Sequence, residues 1–341
     1  MAYTAINKAT ANFNTNLWLG NTSGQTISGV GFKPDLNWSK CRSNGYAHQL
    51  IDSVRGITKQ LNSNDAAAEG TNANGITAFN SDGYSIGTQP EFSNNGNTFA
   101  GWSWKAGTTG SGNTGGSGTY KAYSYSVNTT AGFSIVKYIG NGTGGHTIPH
   151  HLGVAPSNVI IKDISASNSW ICKMQGYDGY LYLNNTNAGT SNSTWLPTDA
   201  NNLTLANTWG AYNTNGATYI AYCFSEKQGY SKFGGYTGNG STDGTFVYTG
   251  FKPAFVMVKR TNNANNWVMI DNKRDPFNLS TKYLLANDAA VEGTGLNFDL
   301  LSNGFKLKSN SGGTNTSTAT YIYMAIGQSV VGTNNVPCTA R

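Results

Sequence analysis

The chain has 341 residues, enough for two or three domains, yet only 11% of them are charged, where about 25% is usual for a soluble globular domain. Its 43 glycines and its many Asn, Thr and Ser residues are typical of β-sandwiches, surface modules and virion proteins, and they argue against a helical enzyme. The net charge of +6 is spread along the chain without a run of Lys or Arg. We therefore expect no binding to nucleic acid.

The chain begins with a short segment, residues 1–18, that we predict to be an N-terminal lead-in. It has no apolar signal core, and no run in the sequence is long enough to span a bilayer, so we expect synthesis in a cytoplasm and no membrane insertion. The four cysteines, Cys41, Cys172, Cys223 and Cys338, stand far apart without a CxxC pair. This spacing favours buried free thiols over a disulfide framework.

The stretch Gly31–Trp38 (GFKPDLNW) occurs in three versions. It returns as Gly153–Lys162 (GVAPSNVIIK) and as Gly250–Arg260 (GFKPAFVMVKR). Proline lacks a backbone N–H and fixes φ, so it belongs at a strand entry and not in a helix or a central strand. Each version predicts a tight turn that leads into a core strand.

Further blocks follow this stretch in a fixed order, which indicates a true internal repeat. In the first copy they are His48–Gly56, Leu61–Gly70, Phe79–Ile86 and Thr98–Lys105, and in the third they are Trp267–Asp275, Leu284–Gly293, Leu300–Leu307 and Thr320–Ala325. The Asp-Gly and Asn-Gly pairs of the third block predict β-hairpins. The second copy is looser, and its Asn184–Gly189 loop lacks the Asp and Glu of the other two.

The spacing of strand and turn signals predicts an all-β fold. We interpret it as three tandem β-sandwich modules, jelly-roll or lectin-like, joined by Gly-rich linkers. The predicted segments are the lead-in 1–18, module 1 at 19–106, a flexible Gly/Ser/Thr linker at 107–120, module 2 at 121–227, module 3 at 228–328 and a C-terminal tail at 329–341.

Two acidic loops are the candidates for a metal site. Asp65 and Glu69 in the first copy, and Asp288 and Glu292 in the third, carry oxygen ligands that Ca²⁺ could use. Capping of a short turn gives the same residues. A general acid/base pair for glycan cleavage is another interpretation, but two identical pairs would be redundant in an enzyme. We expect no metal and no cofactor, with Ca²⁺ as the open alternative.

Other residues are candidates for ligand binding. Asp–Arg pairs recur with the same spacing at Asp52 and Arg55 and at Asp271 and Arg274, where a loop-clamping salt bridge competes with ligand binding. The binding candidates are Trp102, Trp104, Trp195, Arg55 and Arg274, of which the tryptophans offer rings for sugar stacking. One face of any sandwich strand must be core, so at least half of the strand aromatics should be packing residues. The His146–His151 cluster is more typical of a polar turn than of a metal site.

The chain has neither a Gly-rich phosphate loop nor a GxSxG elbow, and we expect no enzymatic activity. The order of GFKPDLNW, IDSVRG, LNSNDAAAEGT, FNSDGYSIG and NTFAGWSWKAG, with FSIVKYIGNGTGGHTIPHHLGVAP at Phe133–Pro156, resembles a repeated module in virion structural proteins of marine bacteriophages, often labelled tail-fibre proteins. The resemblance covers about residues 19–327 and implies a phage origin. It carries over no catalytic residues.

The resemblance implies a non-enzymatic virion structural protein, a tail-fibre or receptor-binding component that contacts the host surface. A capsid-exterior decoration or knob protein is the first alternative, and a glycan-binding or glycan-cleaving module is the second. The implied partners are other virion proteins, further copies of the chain in a homotrimer by analogy with phage fibres, and host surface glycan. The loops around 61–70, 184–196 and 284–293 differ between copies, so we expect partners to bind there.

Overall fold

The structure, a computed structural model, describes residues 4–329 and is all-β, with 45% of residues in strands and 2% in helices. The helices are a 3₁₀ turn at Ala9–Ala11 and a single turn, α1, at Pro90–Ser93. The strands form three repeats, called repeat 1, repeat 2 and repeat 3 in chain order.

Repeat 1 precedes a hairpin that comes between it and repeat 2. The strands of repeat 1 are β1 Phe13–Leu19, β2 Gln25–Ser28, β3 Leu36–Cys41, β4 Gln49–Asp52, β5 Lys59–Gln60, β6 Gly70–Thr71, β7 Ile76–Asn80, β8 Gly83–Ile86 and β9 Thr98–Trp104. The intervening segment contains β10 Thr108–Asn113, β11 Gly115–Gly116 and β12 Ala122–Asn128.

Repeats 2 and 3 follow the same plan. The strands of repeat 2 are β13 Phe133–Ile139, β14 His146–Pro149, β15 Asn158–Asp163, β16 Ile171–Lys173, β17 Gly179–Tyr182, β18 Thr190–Ser191, β19 Asn202–Leu205 and β20 Thr218–Phe224. Those of repeat 3 are β21 Ser231–Thr237, β22 Phe246–Tyr248, β23 Pro253–Arg260, β24 Trp267–Asp271, β25 Ser280–Leu285, β26 Gly293–Leu301, β27 Gly304–Leu307 and β28 Thr320–Gly327.

The main sheet has the same antiparallel strand order in every repeat. The order is β1-β9-β3-β4 in repeat 1, β13-β20-β15-β16-β17 in repeat 2 and β21-β28-β23-β24-β25 in repeat 3. The remaining strands form smaller sheets, β2-β8-β7 in repeat 1 and β11-β14-β19 with repeat 2. In repeat 3 the main sheet continues through β25 into β26, β27 and β22. One of the sheets of the protein is nearly barrel-like.

One hydrophobic core is shared by all three repeats. Alternate residues of the equivalent strands β3, β15 and β23, such as Trp38, Ile160 and Met257, belong to a single buried cluster. The residues between them face a separate cluster within their own repeat, as Val159 and Val256 do. The main sheets are therefore buried on both faces, and separating the repeats would expose one face of each. Modules on flexible linkers would instead have no buried cluster in common.

Two predicted segment boundaries need correction. The lead-in 1–18 contains most of β1, which pairs with β9 and places Phe13 in the shared core. The predicted flexible linker 107–120 forms β10, which pairs with β12 and extends the main sheet of repeat 2. The Tyr125 ring lies so close to Gly110 that an added Cβ would be 2.6 Å from its hydroxyl. These glycines give room to aromatic rings, so their abundance does not produce a flexible coil.

The proline-containing stretch and the hairpins form as predicted. Residues of β3 directly after the Gly31–Asp35 turn are all buried. The β7–β8 hairpin forms, but its loop residues are Ser81 and Asp82, because Gly83 pairs with Asn80. An added Cβ on Gly83 would lie 2.0 Å from the Ile27 carbonyl oxygen. Glycine is required there by the close approach of β2.

Candidate functional site

Each repeat contacts the next through the loop that carries the acidic residues in copies one and three. The N–H of Glu69 donates to the carbonyl of Ile164 at 3.1 Å, that of Gly189 to Thr261 at 2.8 Å, and that of Glu292 to Arg42 at 2.7 Å. These bonds join repeat 1 to 2, 2 to 3 and 3 back to 1. A repeated head-to-tail contact that returns to its starting point forms a closed ring. We call the three contacts the seams.

A ring nitrogen makes a second equivalent hydrogen bond across each seam. Trp170 Nε1 donates to the Asn62 carbonyl at 2.9 Å, and Trp267 Nε1 donates to the Tyr182 carbonyl at 2.8 Å. His48 Nε2 lies 2.9 Å from the Leu285 carbonyl at the third seam. Strand pairing places Trp267 opposite Lys259. The registers of the equivalent strands, continued by one residue, place Trp170 opposite Lys162 and His48 opposite Lys40.

The His48 imidazole is neutral and has a defined tautomer. Trp38 Nε1 donates to His48 Nδ1 at 2.9 Å, so the proton of the neutral ring is on Nε2, from which it is donated to the Leu285 carbonyl. Complete burial, together with the nearby charge of Lys40, lowers the pKa of His48 to about 3. Protonation at low pH would put an unpaired charge in this seam.

Three equivalent lysines are buried close to the seams. Lys40, Lys162 and Lys259 pair with the central strands β9, β20 and β28 in the same register. Each Nζ donates to two backbone carbonyls, and in Lys259 one of these belongs to Thr186 of repeat 2, at 3.1 Å. Burial lowers the pKa of each lysine to about 8. The carbonyls compensate in part for the lost hydration of these ammonium groups.

The Asp52–Arg55 pair lies in the interior, between repeats 1 and 2. Both side chains are fully buried and form a salt bridge, and Arg55 Nη1 also lies 3.3 Å from Glu69 Oε2. Tyr222 of repeat 2 donates its hydroxyl to Asp52 Oδ2 at 2.7 Å. Burial disfavours the guanidinium charge, but Asp52, Tyr222 and Glu69 together outweigh burial and raise the pKa of Arg55. Arg55 therefore stays charged.

The Asp271–Arg274 pair joins repeat 3 to repeat 1 in the same way. Trp102 of repeat 1 donates its indole N–H to Asp271 Oδ2 at 3.1 Å, and the Arg274 guanidinium carbon lies 5.6 Å from the Trp102 ring centroid. Burial would raise the pKa of Asp271, but Arg274 outweighs this and lowers it. Glu292 binds Arg274 at 3.2 Å and Arg42 of repeat 1 at 2.8 Å, which adds an ion pair across the seam.

The seam between repeats 2 and 3 is apolar at these positions. Met174 occupies the position of Asp52 and Asp271, and Met324 occupies that of Tyr222 and Trp102. Both methionines belong to the shared core. The carboxylate and the ring donor that binds it are thus replaced together, which leaves neither group without its partner.

The five binding candidates are all buried, which corrects their prediction as ligand-binding residues. Trp102 is 0% exposed and Trp104 3%, while Trp195 is 2% exposed and donates its indole N–H to the Gly179 carbonyl at 3.0 Å. Arg55 and Arg274 form the loop clamps described above. The loops 61–70, 184–196 and 284–293 each make at least one backbone hydrogen bond to the next repeat, and the binding of partners to their exposed residues stays a prediction.

The calcium candidates have partners within the protein. Asp65 accepts hydrogen bonds from Asn62 Nδ2 at 3.0 Å and from the Ala67 N–H at 2.9 Å, and Asp288 accepts from the Ala290 N–H at 2.9 Å. Glu69 and Glu292 are bound to arginines. In residues 4–329, no group of three or more His, Cys, Asp or Glu side chains is arranged to hold a metal ion.

The prediction of buried free thiols is confirmed for the three cysteines that the structure describes. Cys41, Cys172 and Cys223 are buried free thiols, while Cys338 lies outside the described residues.

The sequence analysis did not identify His48, Trp170 and Trp267 as residues of the contacts between repeats. The signal was present, because each residue stands eight positions after the equivalent lysine.

Comparison with known proteins places the chain in a family. No match to the chain is found among the curated proteins or among the solved structures. Within the described part of the chain, no helix is long and apolar enough to cross a membrane. A family model matches residues 8–329, a span that contains all three repeats. The chain belongs to the family described as a domain of unknown function (DUF7483).

Proposed function

We propose that this chain is a non-enzymatic structural protein of a bacteriophage virion, and that it serves as a tail-fibre or receptor-binding component at the host surface. One observation carries the proposal. The repeated carboxylate and guanidinium groups, which are the groups an enzyme would use, are buried in ion pairs at the contacts between repeats, where Tyr222 and Trp102 of the neighbouring repeats bind the carboxylates. Such a use of charge suits a structural body. The phage setting comes from the resemblance of the sequence blocks.

The proposal includes a finer description of the fold. Each repeat is a jelly-roll or lectin-like sandwich, in which the main sheet faces a smaller sheet, or in repeat 3 its own continuation, across the repeat's own cluster. The three sandwiches are fused through the shared core into one ring. This arrangement leaves the surface loops of a stable body available for contact with the host and with other virion proteins.

The test is competition for adsorption. Purified protein in excess should lower the rate at which phage particles that carry this protein adsorb to host cells. Heat-unfolded protein is the control, because it has the same composition without the surface. Unchanged adsorption at saturating folded protein would refute the receptor-binding role.

A capsid-exterior decoration protein is the second candidate, and the threefold ring of seams favours it. A body with internal threefold repetition can occupy a local threefold position on a shell and make similar contacts in three directions. Location of the protein in a cryo-EM map of the intact particle separates the two candidates. Density at the tail tip supports attachment, and density on the shell supports decoration.

A further inference from the structure

An added hairpin gives repeat 2 an outer strand that the other repeats lack. The main sheets of repeats 1 and 3 begin at β1 and β21, whereas that of repeat 2 continues beyond the equivalent β13 into β12 and β10. Strand β10 is therefore the edge of this sheet. An added element on a repeated scaffold is a common place for binding, because the scaffold holds it in place without depending on it.

The hydrogen bonds between β10 and β12 identify the backbone groups of β10 that point outward. The N–H of Thr114 donates to the Lys121 carbonyl at 2.7 Å. Because bonded and non-bonded pairs alternate along an antiparallel ladder, the even-numbered residues of β10 bond to β12. The odd-numbered residues direct their N–H and C=O groups to the free edge, and these are Thr109, Ser111 and Asn113. All three are exposed, and nothing else in the described residues bonds to their outward groups.

Two other edge strands have outward groups that the chain itself binds. The N–H of Leu50 in β4 donates to the Leu61 carbonyl at 2.8 Å, and the N–H of Phe233 in β21 donates to Glu226 Oε1 at 2.9 Å. Charged side chains, proline and bulges are further devices that keep an edge from pairing with another chain. Strand β10 has the sequence TTGSGN and an uninterrupted register, so it carries none of these devices.

An aromatic layer supports one face of β10. The rings of Tyr123 and Tyr125 lie against Gly112 and Gly110, where an added Cβ would approach them to 3.0 and 2.6 Å. The His151 ring stacks on Tyr125 with a centroid distance of 3.7 Å. The edge is thus held as an extended strand without a charged or apolar side chain of its own. A strand that is already in place loses less conformational entropy when it pairs.

We propose that β10 pairs with β10 of a second copy of this chain, antiparallel about a two-fold axis at Ser111. Ser111 then faces its own counterpart and Thr109 faces Asn113, so that three residue pairs exchange two backbone hydrogen bonds each. A second copy fits this edge because only uncharged side chains of β10 meet across the axis, in a chain whose net charge is +6. The contact occupies the edge of both copies, so assembly stops at a dimer. The proposal does not depend on the attachment function.

The test is sedimentation velocity of the full chain at a series of concentrations. The wild type should shift from monomer to dimer as its concentration rises. Ser111→Lys should raise the dissociation constant of the dimer at least about tenfold, because it places two ammonium groups opposite each other. Ser111→Pro should weaken the dimer as well, since proline removes the central outward N–H and leaves the bonds of β10 to β12 in place. Ser191→Lys is the matched control, an exposed residue of β18 at the other end of the same sheet.

Hydrogen exchange of the wild type locates the contact without any substitution. The amides of Thr109, Ser111 and Asn113 should exchange more slowly as the fraction of dimer rises, whereas those of Gly110 and Gly112 should be protected at every concentration. A chain that stays monomeric overturns the proposal and leaves the edge open to a strand of another protein. A trimer, a dimer that both Ser111 variants leave unchanged, or a dimer in which the three outward amides stay unprotected overturns it as well.

Discussion

Trp102 offers the strongest test of the shared core, because it belongs to repeat 1 and contacts repeat 3. Its side chain is fully buried, packs against Phe255 and donates to Asp271. Trp102→Ala leaves a cavity that costs about 3–5 kcal/mol. Loss of a hydrogen bond to a buried carboxylate adds about 1.5–3 kcal/mol. We expect a total loss of about 5–8 kcal/mol, a large part of the stability of any domain.

The assay is equilibrium unfolding in guanidinium chloride, followed both by far-UV circular dichroism and by tryptophan fluorescence. Because the core is shared, the wild type should unfold in one transition at the same midpoint by both probes. Trp102→Ala should move that whole transition to lower denaturant. Trp102→Phe is the control, since it keeps an aromatic ring and loses mainly the indole N–H, at about 2–3 kcal/mol.

Two results would refute this reasoning. One is a loss of less than about 2 kcal/mol in Trp102→Ala, which would mean that the ring does not join the repeats. The other is wild-type unfolding in separate steps of which only one responds to the substitution. That outcome would be expected of independent modules on flexible linkers.

Three further predictions concern the seams. The folded-state pKa of His48, about 3, lies below the ordinary imidazole value of 6.5, so the stability that its neutral form contributes is present above pH 6.5 and lost as the pH falls. Between pH 6.5 and 4.5, the wild type should lose about 2 kcal/mol more than His48→Gln in urea titrations. Arg55→Met should lower the free energy of unfolding by about 3–5 kcal/mol in the same assay, because Asp52 stays buried without its cation. Arg260→Met, at a partly exposed site, is the control and should lower it by less than about 0.5 kcal/mol. Similar losses in both variants would exclude a special role for Arg55. Calcium chloride at millimolar concentration should leave the melting temperature unchanged, because arginines already bind Glu69 and Glu292. A clear rise in the melting temperature that a chelator reverses would show that the acidic loops hold the ion.

The repeat and the β character of the chain could be predicted from sequence because both depend on local chemistry. The proline at the strand entry and the Asp-Gly pair specify a turn and a hairpin within a few residues. Buried runs such as Val256–Val258 specify strands, but a continuous run does not reveal what covers each face. The sharing of one face among three repeats is a long-range property, and it was therefore missed.

The candidate site was mispredicted for the same reason. The burial of an aromatic residue on a strand depends on what covers its sheet, and Trp102 is covered by Phe255 of repeat 3. The acidic loops looked like surface features because they vary between copies. Elsewhere at the seams, residues that differ between copies are exchanged in pairs, as in the exchange of a carboxylate and a ring donor for Met174 and Met324. Pairs of this kind could be found by comparing the three copies with each other in register.

The seam between Arg42 and Glu292 has a consequence for the synthesis of the chain. The two residues are 250 positions apart, so the contact cannot form until nearly all of the protein has left the ribosome. At translation rates of about 5–20 residues per second, the apolar face of repeat 1 waits roughly 10–50 s for its last neighbour. During that time the nascent chain presents Trp102 and Trp104 to solvent, and chaperones bind such apolar surfaces. Incomplete chains that end before repeat 3 should therefore aggregate, and the yield of folded protein should depend on the chaperone capacity of the cell.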